Sequence, residues 1–168
     1  MTDEFAGTIT EIQNQLNFVL SDNGRNKEGH TVFTIVSNRT GTRFTYRVKR
    51  ANKFNEQSRK WEPSNVWFVS VLSGSDNQDD YRFIGTIFDR GVAPKFFAHS
   101  NKSKVSKSAS SFVAFSWYFN NLIEGNEDAI NNVEFFHQGI CGRCGRELTV
   151  PSSIETGLGS ICASKIGA

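Results

Sequence analysis

The chain has 168 residues, of which 38% are hydrophobic and 15 are Phe, and a net charge of only +2. That length fits one domain or one domain with a small appendage, and the apolar content is enough to build a core that metal alone need not hold together. No run of about 18 apolar residues and no basic-then-apolar leader is present, so neither a membrane span nor secretion is expected. The near-neutral total hides a partition. Residues 31–72 carry eight Lys/Arg against two acids, 101–107 add three lysines, and both the first thirty residues and 110–136 are net acidic. A basic middle between acidic flanks points weakly to phosphate binding, and a solvated sheet face explains it equally well.

In chain order, Thr8-Ile-Thr-Glu11 has the form of a capping box, with Ile9, Ile12, Leu16 and Val19 at helical spacing and Ser21-Asp-Asn-Gly24 as the stop. Residues 25–30 are polar and read as a loop. Thr31–Ser37 and Arg43–Lys49 are β-branched and aromatic runs joined by Asn38-Arg-Thr-Gly41, a hairpin signal. In the second run Phe44, Tyr46 and Val48 alternate with Arg43, Arg47 and Lys49, so one face is apolar and the other basic. Residues 50–64 read as an exposed connection that Phe54 and Trp61 pin down. Val66–Leu72 is apolar on both faces, as a central strand would be, and pairs across the acidic turn 74–80 with Tyr81–Phe88. Lys95–Ala98 suggests a short fifth strand, followed by a Ser/Lys-rich loop over 100–110.

Ser110 or Ser111 is placed to cap a second helix with Phe112, Phe115, Phe119 and Leu122 on one side and Gly125 as its stop. A helical turn at 127–132 and a strand at 133–136 lead into the tail. This order predicts an α+β fold, an antiparallel β meander packed by two helices. A small C-terminal zinc-binding module follows, so the division expected is a domain over 1–136 and a module over 137–168.

All three cysteines lie in that tail, at Cys141, Cys144 and Cys162. An odd number at Cys-x-x-Cys spacing is not a disulfide framework, and the reducing cytoplasm is its natural setting. The redox reading of Cys-x-x-Cys lacks a preceding βαβ pattern and leaves Cys162 without a task. A closed structural Zn2+ site needs four donors, and the cysteines supply three. His137, His99, His30, Glu147, Glu155 or water remain for the fourth. His137 is preferred, because its offset of four from Cys141 lets a strand turn into the knuckle beside the sulfurs. Pro151–Thr156 reads as a short helical turn ended by Gly157, and Cys162 begins a terminal helical turn.

The pattern Cys141-x-x-Cys144-Gly-Arg-x-Leu148-Thr-x-Pro151-x-Ser153-Ile-Glu-x-Gly157-x-Gly159-x-x-Cys162 resembles the zinc-ribbon-like module of a family of uncharacterised bacteriophage and prophage proteins. The runs Phe33–Val48 and Trp67–Asn77 resemble its longer members. Ser160 stands where that family usually has proline, which loosens the turn without moving Cys162. The resemblance implies a phage setting and a zinc site, and no activity.

No activated Ser or Cys nucleophile, no paired-histidine motif and no phosphate loop with its lysine is present, so no enzyme is expected. Asp76, Asp79 and Asp80 lack a calcium-loop pattern and read as an acidic turn. A nucleic-acid partner is suggested by Arg43, Arg47, Lys49, Arg50 and Lys53, with Tyr46, Phe54 and Trp61 interleaved. Lys102, Lys104 and Lys107 and the knuckle's Arg143 and Arg146 add to them. The competing expectations are a module that binds a host protein, with zinc purely structural, and a zinc-dependent hydrolase with an open metal position.

Overall fold

Seven strands in the order β1-β7-β2-β3-β4-β5-β6, every neighbouring pair antiparallel, form the frame of the computed structural model, which describes residues 7–25, 29–74 and 80–165. The strands are β1 (Gly7–Thr8), β2 (Thr31–Ser37), β3 (Arg43–Asn55), β4 (Lys60–Leu72), β5 (Tyr81–Phe88), β6 (Phe96–His99) and β7 (Val133–His137). The helices are α1 (Ile12–Val19), α2 (Ser110–Glu124), α3 (Glu127–Ile130), α4 (Pro151–Thr156) and α5 (Ser160–Lys165). The fold is thus α+β. Strands β2 to β6 make the expected meander, and β7 returns to pair with the outer edge of β2, placing the cysteine tail at that side of the sheet.

Alternation along the strands decides the faces. Phe33, Tyr46, Val48, Trp67, Val69, Ile87, Phe97 and Phe135 are buried on one face. The buried side of α2, carried by Phe115, Tyr118, Phe119 and Leu122, packs there together with Phe18 of α1. Rings carry much of this core: Phe33 stacks on Phe135 at 4.9 Å, and Phe115 lies 4.9 Å from Tyr46 and 4.8 Å from Phe97. Two polar ties run through it. Tyr118 donates to Gln15 (2.7 Å), and the Tyr46 hydroxyl donates to the Ser111 carbonyl (2.7 Å).

The first helix starts later than its capping-box motif suggests. Thr8 belongs to β1 and Ile9 donates its N–H to Phe135, so edge pairing with β7 takes the residues that would have opened the helix. The helix begins at Ile12 after Glu11, with no side-chain cap. Nor does a serine cap α2: its N-cap is Ala109, while Gly125 ends it in the left-handed conformation as expected.

The 50–64 stretch is no pinned connection. Strands β3 and β4 run past their other neighbours and pair with each other from Asn52↔Pro63 to Asn55↔Lys60, forming a two-stranded arm. Trp61 is 70% exposed on it, against Phe54. Residues 26–28 of the 25–30 loop and 75–79 of the 74–80 turn, including Asp76 and Asp79, lie outside the described residues. Among the described residues no helix is long and apolar enough to cross a membrane.

Phe18 is the plug between the sheet and the tail. Its ring meets Phe33, Phe135 and His137 edge-on or tilted at 5.6 to 6.4 Å; Gly157 of the tail has no room for a side chain against it, and Gly142 has little. Phe18→Ala should therefore cost about 3–5 kcal/mol in urea unfolding, a large part of a typical domain's stability. A loss below about 1 kcal/mol would show that the tail does not lean on this ring.

Candidate metal centre and the open sheet face

The chain leaves β7 at His137 and doubles back in a tight hairpin. Leu148 donates to Gly139 (2.7 Å), Cys141 to Arg146 (2.8 Å) and Gly145 to Cys141 (2.9 Å). The turn needs Gly145 at φ +80° and brings Cys141 and Cys144 to one corner. Helix α4 then begins on Pro151 and stops at Gly157, where φ is +73° and Phe18 leaves no space for a side chain. Helix α5 carries Cys162 back to the corner. The three sulfurs lie within 4.8 Å of one another, with Cys141 and Cys162 buried and Cys144 half-buried.

This is an arrangement for thiolates. The Gly159 N–H points at Cys141 Sγ (3.4 Å) and the Arg143 guanidinium at Cys162 Sγ (3.7 Å). Burial pushes the Cys141 thiol up, but the N–H groups of Gly159, Cys144 and Arg143 and the Cys144 side chain outweigh it and hold it below the ordinary thiol range. Cys162 moves the other way: burial and the two neighbouring sulfurs raise it against the pull of Arg143. Cys141 is thus biased toward the thiolate while Cys162 resists it, a conflict that a cation among the sulfurs removes. Sulfurs bound tetrahedrally at about 2.3 Å stand about 3.8 Å apart, so the cluster fits a metal ion with little adjustment.

His137 does not join the sulfurs. It is fully buried, its Nε2 faces the Ile154 carbonyl (2.7 Å), and its Nδ1 accepts the Gly139 N–H (2.9 Å). A carbonyl partner requires Nε2 to carry the proton and an N–H partner requires Nδ1 to keep its lone pair, so the ring is neutral and has no electron pair left for a metal. Spacing suggested a ligand, and the residue is instead the joint between β7 and α4. His99 is committed to the Val105 carbonyl (2.7 Å), while Glu147 and Glu155 are exposed. No fourth His, Cys, Asp or Glu joins the cluster among the described residues.

Residues 133–167 match the model of DUF6011, a family of unknown function. The match runs from the start of β7 through α5 and takes in all three cysteines. No curated protein and no solved structure was found to be similar to the chain.

The basic residues expected to meet nucleic acid divide into groups. Arg43, Arg47 and Lys49 alternate along β3 on the face opposite the helices, with Arg43 and Lys49 exposed and the Arg47 guanidinium 4.3 Å over the Tyr81 ring. Lys49 stands directly across from Phe68, which is 42% exposed and meets Phe83 edge-on at 6.0 Å. Arg50 is tied down instead: Nε donates to the Ser64 carbonyl (2.8 Å) and the guanidinium lies 4.7 Å over Trp67. Lys53 is exposed on the arm, across from Glu62. Lys102 and Lys104 are exposed in the loop after β6, Arg146 is exposed on the knuckle, and Arg143 turns to Cys162.

Of the expected aromatics, Tyr46 is inside the core and has no open ring to offer. Phe68, Phe83 and Tyr81 take its place on the basic face. Strand period alone signals this, since the hairpin register that puts Lys49 outward also puts Phe68 outward.

Metal analysis should find about one ion per chain, lost in Cys141→Ser and Cys162→Ser and kept in His137→Gln, whose amide can make the same two bonds. Loss of metal from a folded His137→Gln protein would make the ring a ligand after all. Burial, the larger effect, lowers the His137 pKa below 6.5 although the Ile154 carbonyl works against it. Its contribution to stability is therefore complete above about 6.5 and is lost as the pH falls toward the folded value. The stability gap between wild type and His137→Gln should narrow on going from about pH 7.5 to about pH 5.5, measured by denaturant unfolding at each.

Proposed function

We propose that this is a non-enzymatic protein that holds Zn2+ through Cys141, Cys144 and Cys162 as scaffolding and contacts nucleic acid through the open sheet face. Zinc is favoured by an all-sulfur donor set, two of its three members buried, on a hairpin of structural-site form. Such chemistry belongs in a reducing compartment, the cytoplasm of the host cell if the chain is phage-encoded as its resemblance implies. The observation that carries the nucleic-acid reading is the row Arg43, Arg47 and Lys49 beside Phe68 and Phe83, on the face opposite α1 and α2. Cations set among partly exposed rings suit a backbone of phosphates whose bases can stack. Lys53, Lys102, Lys104 and Arg146 extend the positive surface, whereas Arg50 and Arg143 serve the fold.

A second reading, a module that binds a host protein, draws on the arm, where Trp61 stands 70% exposed. Capture from host lysate that survives nuclease and high salt would favour it.

Fluorescence polarisation with single- and double-stranded DNA and RNA separates the two readings. Micromolar binding that weakens with salt is expected. The double variant Arg43→Gln/Lys49→Gln should lower the salt slope by about 1.4–1.8, the release from two phosphates. Arg50→Gln should leave affinity in place and reduce stability. Absence of binding at about 50 mM salt overturns the reading.

A further inference from the structure

On the helical side of the sheet, away from both the cysteines and the basic row, an open cleft of about 800 Å³ lies between α2 and the β2–β3 turn. That is the size of a small-molecule pocket, which usually spans roughly 300–1,000 Å³ with an apolar floor and a few polar groups at its rim. The floor is formed by Phe44 of β3 and by Val113 and Trp117 of α2. Val113 is 52% exposed and Trp117 45%, large apolar side chains that line the opening. The rim carries Arg39 on the turn and Ser108 and Ser110 at the start of α2. No Asp or Glu lines the cleft, and the Arg39 guanidinium has no ion-pair partner among the described residues.

The walls are fixed in advance. The turn bearing Arg39 is held to the corner before β7 by the Asn38 N–H bonded to the Asn132 carbonyl (2.9 Å). It is held internally by Gly41 bonded to Ser37 (2.8 Å). The start of α2 is held to the sheet by the Tyr46–Ser111 bond. A rigid apolar floor with one uncompensated cation and hydroxyls at its edge complements a particular chemistry: a flat ring system with a single anionic group. The ring would lie on Trp117 and Phe44, and the anion would reach Arg39. We propose that this cleft is a binding site for a small aromatic anion, independent of the metal centre and of the nucleic-acid face.

The test uses two fluorescent probes that share one ring body, anilinonaphthalene sulfonate and the uncharged N-phenylnaphthylamine, titrated into the metal-loaded chain. The sulfonate should bind more tightly. Arg39→Gln should weaken it about tenfold or more, the loss of one charge-assisted bond, and leave the neutral probe unchanged. Trp117→Ala should weaken both probes, and Trp61→Ala, on the arm, neither. Arg39 and Trp61 are exposed, so the melting temperatures of their variants should match wild type. Val113→Gln, at another half-exposed floor position, gives a further reading should Trp117→Ala melt early.

Competition by adenosine monophosphate against indole acetate then identifies the source, a nucleotide or an aromatic acid. Sulfonate binding that ignores both Arg39→Gln and Trp117→Ala, no binding to wild type, or displacement by neither competitor overturns the proposal.

Discussion

Three thiol groups within a few ångströms of one another cannot all ionise unless something positive carries the charge, and the tail is built around that constraint. Its own apolar cluster is small, made of Cys141, Leu148, Leu158 and Cys162 with a few partly covered neighbours. So little buried surface does not fold alone. The tail therefore draws on two supports. One is the ion that three thiolates invite. The other is the sheet, through Phe18 in the seam and through His137, whose two nitrogens join the end of β7 to the turn at Gly139 and to helix α4. Ser21 adds a third tie by donating to the Gly142 carbonyl (3.0 Å). The module thus leans on the sheet, and His137 belongs to both.

The same economy shapes the sheet. Both larger helices lie on one face, where rings from five strands meet rings from α1 and α2. Among the described residues neither of these two helices lies on the opposite face. There the cross-strand neighbours Thr34 and Thr45 bond through their hydroxyls (2.6 Å), and Arg47 reaches past β4 to stack on Tyr81 of β5.

Much of this is legible in the residues alone. The runs 31–37 and 81–88 coincide with strands because both are bounded by turn chemistry and rich in β-branched and aromatic residues. Gly125 and Gly157 stop helices where the pattern of apolar residues stops, and the cysteine spacing marks the cluster that the fold assembles. What could not be read has a common cause: it depends on distant partners. Thr8 is consumed by β7 over a hundred residues away, so the local capping signal is overridden. The β3–β4 arm carries polar residues that suit a loop, yet extends because each strand completes the other's backbone bonds. His137 has the offset of a ligand, and only the positions of Gly139 and Ile154 reveal that both its nitrogens are taken.

The two ends of the sheet have a consequence for behaviour at high concentration. Among the described residues strand β1 is two residues long and β6 four, so each outermost strand offers only a short row of backbone N–H and C=O groups. A long bare flank would template the strand of another molecule and seed polymerisation. Stubby margins give a neighbour little to grip, so a sheet this rich in Phe and Val can stay dispersed.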